Sequence, residues 1–176
     1  LYMTSTIIDP SKDLVDGKLP ITFKHLLSKV NISVTLGTEL NTTPGTATNP
    51  ISNLKVNGTK KSFRWSALND TEFVFTGFPN AAITPFVGTY SAGSATTNAV
   101  ANYEVILVPQ TVAANEFSVT FTINNKEYTW TSAAAVTLER GRLYTLALTA
   151  GKDIVTLGSL SAKAWTAGTG GSIETE

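Results

Sequence analysis

Leu19-Pro20-Ile21-Thr22-Phe23-Lys24-His25-Leu26-Leu27-Ser28-Lys29-Val30-Asn31-Ile32-Ser33-Val34-Thr35-Leu36 is the stretch whose reading decides the fold. Ile21 and Phe23 set an apolar alternation on odd positions, and Val30, Ile32, Val34 and Leu36 carry it on even positions. Strand side chains alternate between faces, so a change of parity requires an inserted residue or a turn. The segment His25 to Lys29 is therefore predicted to hold a bulge or a single helical turn. Beyond it Asn31, Ser33 and Thr35 face outward beside the apolar row, the pattern of a sheet with one buried face.

The same pattern recurs along the chain. Ile51 to Val56 reads as a short strand, and Asn57-Gly58 behind it as a hairpin turn leading into a strand over Lys61 to Trp65. Glu72 to Thr76 reads as another strand. Gly77 to Ala99, mostly Gly, Ala, Ser, Thr and Asn, reads as a long surface excursion with at most one short strand near Phe86-Val87. Tyr103 to Val108 reads as a buried strand stopped by Pro109. Phe117, Val119, Phe121 and Ile123 alternate with Ser118, Thr120 and Thr122, and Asn124-Asn125 turns the chain into Lys126 to Thr131, a hairpin with aromatic and β-branched cross-strand pairs. Leu138 to Leu148 holds a turn and a strand, and Ile154 to Trp165 a last strand broken by Gly158. No helical run of useful length appears. About seven or eight strands at short spacing predict an all-β antiparallel sandwich.

Composition narrows the function classes. Among 176 residues, Lys plus Arg and Asp plus Glu stand at 13 each, so the net charge is zero and the basic excess of a nucleic-acid binder is missing. No apolar run approaches the length of a membrane-spanning helix. Cys is absent, and Thr, at 28 residues, favours strands with polar faces. The chain starts at Leu1 without a signal peptide, which is read as trimming or processing of the N-terminus.

Sites of chemistry are sparse. His25 is the sole histidine, and with no Cys it cannot build a usual zinc site; nor does it have an evident nucleophile to activate. It is predicted to be partly buried, bonded to backbone freed by the parity change. Asp9, Asp13 and Asp16-Gly17 lack the spacing of a calcium loop and read as a solvated linker. No glycosidase pair stands out among the scattered carboxylates. No catalytic, metal or cofactor-binding residue is assigned. Trp65, Trp130 and Trp165 could stack on sugar, but core or cross-strand packing is the simpler account.

Phe23-Lys24-His25-Leu26-Leu27-Ser28-Lys29-Val30 resembles the "F-x-H-a-l-s-K-v" signature of the fimbrillin-like proteins of Bacteroidetes, the FimA/Mfa superfamily of subunits, anchors and accessory proteins of type V pili. Three further segments resemble the same family in order: Val108-Pro109-Gln110 its "v-P-Q", Gly141-Arg142-Leu143-Tyr144 onward its "G-K-x-Y-x-y-x-l" with Arg142 in place of Lys, and Ala164-Trp165-Thr166-Ala167-Gly168 its terminal "I-x-x-W-x-x-G". The structural motif residues carried over are Phe23, His25, Lys29, Pro109, Gln110, Gly141, Tyr144 and Trp165. Leu1-Tyr2-Met3-Thr4-Ser5 resembles the segment that closes the family's N-terminal domain.

The resemblance implies a transthyretin-like sandwich over residues 20–166. It is preceded by an extended segment and linker (1–19) from a missing N-terminal domain, and followed by a flexible tail (167–176). It implies a non-enzymatic cell-surface protein without cofactor, exported as a lipoprotein precursor to the outer membrane or a fimbrium. The membrane is touched only through a lipid anchor upstream of this chain. Partners would be other fimbrial subunits, by donor-strand exchange, and a host glycan or protein. Thr166 to Glu176 is polar, with Ile173 its one large apolar residue, so a tip, accessory or anchor subunit is expected rather than a stalk donor. The rival is a surface glycan-binding β-sandwich module.

Overall fold

The computed structural model describes residues 2–3, 23–37, 39–40, 48–66, 73–94 and 96–165, with backbone alone for Tyr2, Met3 and Phe23. Twelve strands follow one another: β1 (Tyr2–Met3), β2 (Phe23–Lys24), β3 (Ser28–Leu36), β4 (Ile51–Asn57), β5 (Phe86–Ser91), β6 (Val100–Leu107), β7 (Gln110–Val112), β8 (Ser118–Ile123), β9 (Lys126–Thr131), β10 (Val136–Leu138), β11 (Arg142–Ala150) and β12 (Val155–Ala164). No helix occurs among the described residues. The larger sheet runs β12-β11-β3-β6-β5 and the smaller β4-β8-β9, with two-stranded ribbons β1-β2 and β10-β7 beside them. Pairing is antiparallel except between β11 and β3, which are parallel. The strand total exceeds the seven or eight expected because short ribbon strands were not separable from loops by pattern.

Alternation produces the core. Val30, Ile32, Val34 and Leu36 on β3 are all buried, as are Tyr103, Val105 and Leu107 on β6 and Tyr144, Leu146 and Leu148 on β11. Facing them from the smaller sheet are Val56, Phe117, Val119, Phe121, Ile123, Tyr128 and Trp130, in one continuous cluster. The expected core positions Val30, Ile32, Val34, Val105, Leu107, Phe117, Val119, Phe121, Leu146 and Leu148 are all enclosed, while Ile21 and the Phe23 side chain lie outside the described residues. The β8–β9 hairpin closes through Asn124 and Asn125 at φ 49° and 62°, the two positive values of a tight hairpin turn. Across it Phe121 stacks on Tyr128 at 5.6 Å between ring centroids, and Phe117 meets Trp130 edge-on at 6.3 Å.

Five local expectations are corrected. The parity change at 25–29 is no bulge within one strand: β2 pairs with β1 in its own ribbon, and after a bend at Leu27 the chain begins β3 in the large sheet. Asn57-Gly58 closes no hairpin. Gly58 instead lies against the backbone of Glu116, and Val56 bridges to Ile83. Lys61–Trp65 and Glu72–Thr76 are not full strands; single bridges at Arg64–Val74 and Lys60–Asn80 hold that arm. Finally, Gly77 to Ala99 is more than an excursion. It supplies β5, an edge of the large sheet, and buries Ala99. β6 is also not buried on both faces: Ile106 remains 46% exposed. The linker, apart from Tyr2–Met3, and the tail lie outside the described residues.

Candidate functional site

Register brings the scattered signature segments to one end of the large sheet. Leu143 on β11 sits opposite Lys29 on β3, which sits opposite Ile106 on β6, while Arg142 sits opposite Ala164 on β12. The turn before β11 ties them together. Gly141, at φ 65°, donates its N–H to the Leu27 carbonyl at 3.1 Å and accepts the Trp165 N–H on its own carbonyl at 2.8 Å. The positive φ is what aims its two backbone groups at different strands, and a glycine adopts it without steric cost. Beside it the Ser28 hydroxyl donates to the Glu139 carbonyl at 2.7 Å, and the Glu139 N–H donates to the Tyr144 hydroxyl at 2.8 Å. Arg142 pairs with Glu139 at 3.3 Å, and Lys29 with Glu104 at 2.8 Å on the outer face.

His25 completes this corner in an unexpected way. Its imidazole lies flat on the Trp165 indole, 3.7 Å between centroids and 5° between planes. Among the described residues the His25 ring makes no hydrogen bond to backbone, and the bend carbonyl at Leu27 is taken by Gly141. Partial burial holds the His25 pKa below its ordinary value, so the ring stays neutral more readily than a free one. Nothing in the stack offers a proton relay or a nucleophile.

Pro109 and Gln110 do different work at the end of β6. The Gln110 amide acts as a strand surrogate: its Oε1 accepts the Lys60 N–H at 3.0 Å and its Nε2 donates to the Lys60 carbonyl at 3.1 Å. It thereby fastens the arm that follows β4. Of the eight motif residues, His25, Lys29, Gly141, Tyr144 and Trp165 share one corner, Pro109 is buried in the bend after β6, Gln110 braces a neighbouring segment, and the Phe23 side chain lies outside the described residues. Two tryptophans are committed to the fold: Trp130 is buried and Trp165 is covered by His25. Among the described residues no three His, Asp or Glu side chains gather as metal ligands.

The most accessible feature is the edge strand β12, which the sequence marks as a strand but not as an open edge. Among the described residues it pairs only with β11, and nine of its ten residues are exposed. On its core-side row Leu157 lies opposite Leu148 and Leu160 opposite Leu146, yet they remain 47% and 41% exposed. Ile154, just before the strand, is 64% exposed. The β11–β12 turn is held to the smaller sheet by Lys126, which donates to the Lys152 carbonyl and to Asp153 at 2.8 Å, and by the Tyr128 hydroxyl, which donates to the Lys152 carbonyl at 3.0 Å. The hydrogen bond with Asp153 raises the Lys126 pKa, and the same bond lowers that of Asp153. The strand itself, read over Ile154 to Trp165, was visible in the sequence; that among the described residues no strand covers its far side could come only from topology.

Comparison with known proteins places this geometry. The profile of the fimbrillin-like family matches residues 2–165. No curated protein sequence matches significantly. Among solved structures, a candidate cell adhesion protein from Bacteroides uniformis superposes with a TM-score of 0.59 at 18% identity, over 86% of this chain and 55% of that one. Another from Bacteroides ovatus does so with a TM-score of 0.50 at 16% identity, over 84% of this chain and 48% of that one. The chain thus spans about half the length of the structures it matches, and at these identities the likeness is one of fold.

Proposed function

The chain belongs to the fimbrillin-like family, and from that premise we propose that it is a non-enzymatic tip, accessory or anchor subunit of a type V pilus. It acts at the cell surface, in adhesion or pilus assembly, through β-strand complementation with other fimbrial subunits. Export as a lipoprotein precursor to the outer membrane or fimbrium is part of this reading, as is residues 20–166 acting as the sandwich half of a larger protein.

One observation carries it. β12 is a long, exposed edge strand with two leucines standing open on the core side. Proteins normally blunt such edges with charge, proline or cover, because the unpaired main chain is a template for another strand. Here the only charged residue within the strand is Lys163. An added strand would extend the main-chain ladder and cover Leu157 and Leu160, so backbone bonds supply affinity and the apolar row sets register.

The test is co-purification with the other fimbrial components. Leu157→Lys with Leu160→Lys should leave the fold intact, because both side chains are already half in solvent, and should abolish capture of the partner. Full capture by the double variant refutes the assignment to this edge. Deleting Gly168 to Glu176 should leave capture unchanged, and its loss on that deletion would make the chain a donor.

A further inference from the structure

A second opening lies on the opposite side of the large sheet from β12. β5 ends at Phe86, opposite Glu104, so among the described residues no strand pairs with Val105–Leu107 on that side of β6. The chain before β5 crosses over to the smaller sheet, where Ile83 bridges to Val56. Between these two edges is a cleft of about 380 Å³, open on one side. Leu27, Phe63, Ile83, Ile106 and Val108 form its apolar wall, and Lys61 and Thr84 are its polar groups.

We propose that this cleft binds a small amphiphilic anion: an apolar body of roughly phenylalkyl size carrying one carboxylate. Its volume falls within the range of small-molecule sites, about 300–1,000 Å³, which are largely apolar with a few placed polar groups. The charge at its mouth selects the anion. Lys61 lines the cleft, and its ammonium has no ion-pair partner among the described residues. Lys55 Nζ donates to the Thr84 hydroxyl, so that hydroxyl's own proton is left to donate to a ligand, with a second cation behind it. Among the described residues no carboxylate lines the cleft. The length of the free edge argues against a peptide strand: three residues of β6 are unpaired, whereas strands usually run to about five or six. This site is independent of the β12 edge and of the fimbrial reading.

The experiment is an amide chemical-shift titration of the full chain with 4-phenylbutyrate and with its neutral counterpart 4-phenylbutan-1-ol. The expected result is saturable shifts at Leu27, Ile83, Ile106 and their neighbours, with the carboxylate bound about 3–5-fold more tightly, the range of a solvent-accessible charge pair. Lys61→Gln, at an exposed position, should keep the fold and the alcohol's affinity while removing the carboxylate's advantage. Equal affinity for the two probes, an advantage that survives Lys61→Gln, shifts centred on Leu157 and Leu160, or no shifts would each overturn the proposal. A capped alternating valine–glutamate pentapeptide that binds more tightly than phenylbutyrate would also overturn it, in favour of a strand.

Discussion

Replacing Gly58 by alanine tests whether the chain after β4 is set by backbone contact rather than by a hairpin turn. Gly58 has a φ of 84°, and a Cβ built on it falls far inside van der Waals contact of the Glu116 carbonyl oxygen. Two costs add. A left-handed conformation costs a non-glycine residue about 1–2 kcal/mol, offset by about 0.4–1 kcal/mol from the stiffer unfolded chain. The clash must push β4 away from the turn before β8, and overpacking of this kind costs about 1–3 kcal/mol or more. Gly77 isolates the second cost, because its φ is 80° and a Cβ there meets nothing within 4 Å. Gly77→Ala should therefore destabilise by about 1 kcal/mol or less, and Gly58→Ala by about 2–4 kcal/mol. Urea unfolding of the two variants, at matched slopes, measures the difference; in heat the gap should be about 2–4 °C per kcal/mol for a chain of this size. If the two variants prove equally stable, the approach of Gly58 to Glu116 is not a constraint and the account of this turn is wrong.

Phe121 is 1% exposed and stacks on Tyr128, so Phe121→Ala should cost about 3–5 kcal/mol in denaturant unfolding; a loss under about 1 kcal/mol would mean that the two sheets do not pack as described. His25, with its pKa lowered by burial, binds its proton less readily folded than unfolded. Its contribution to stability is thus complete above the ordinary value of 6.5 and declines as pH falls through that value towards the lowered one. Unfolding curves of the native chain and of His25→Gln should accordingly converge between about pH 7 and pH 5, and parallel pH profiles would remove the linkage.

The sequence was most legible where structure is local. The parity change between Phe23 and Val30 marks a true break, and the alternation from Phe117 to Ile123 around Asn124-Asn125 maps onto a hairpin whose every apolar residue is buried. It misled where a local signal served a distant contact. Asn57-Gly58 has hairpin composition, but its glycine is required by Glu116, which lies in the turn before β8. β5 was underestimated because its residues Phe86 to Ser91 are largely exposed and show no apolar row. The motif residues were identified by order and spacing, but their meeting was not readable: His25 and Trp165 stack only because β3 and β12 flank β11 in one sheet.

That corner and the β12 edge are parts of one arrangement. The far end of β12 is fixed by the Trp165 N–H on the Gly141 carbonyl and by the His25 stack. Its near end is fixed at Lys152, whose carbonyl receives Lys126 and Tyr128 and whose N–H donates to Glu39 at 2.9 Å. Hydrogen bonds from its own backbone N–H and from that of Lys152 hold the Glu39 carboxyl below its ordinary pKa, so the acceptor remains charged. A strand pinned at both ends and open along its side has little left to order when a second strand joins it. Such preorganisation strengthens association without adding contacts. Under the proposed strand complementation, His25, Gly141 and Trp165 would act by position, fixing the end of the edge to which a partner strand adds.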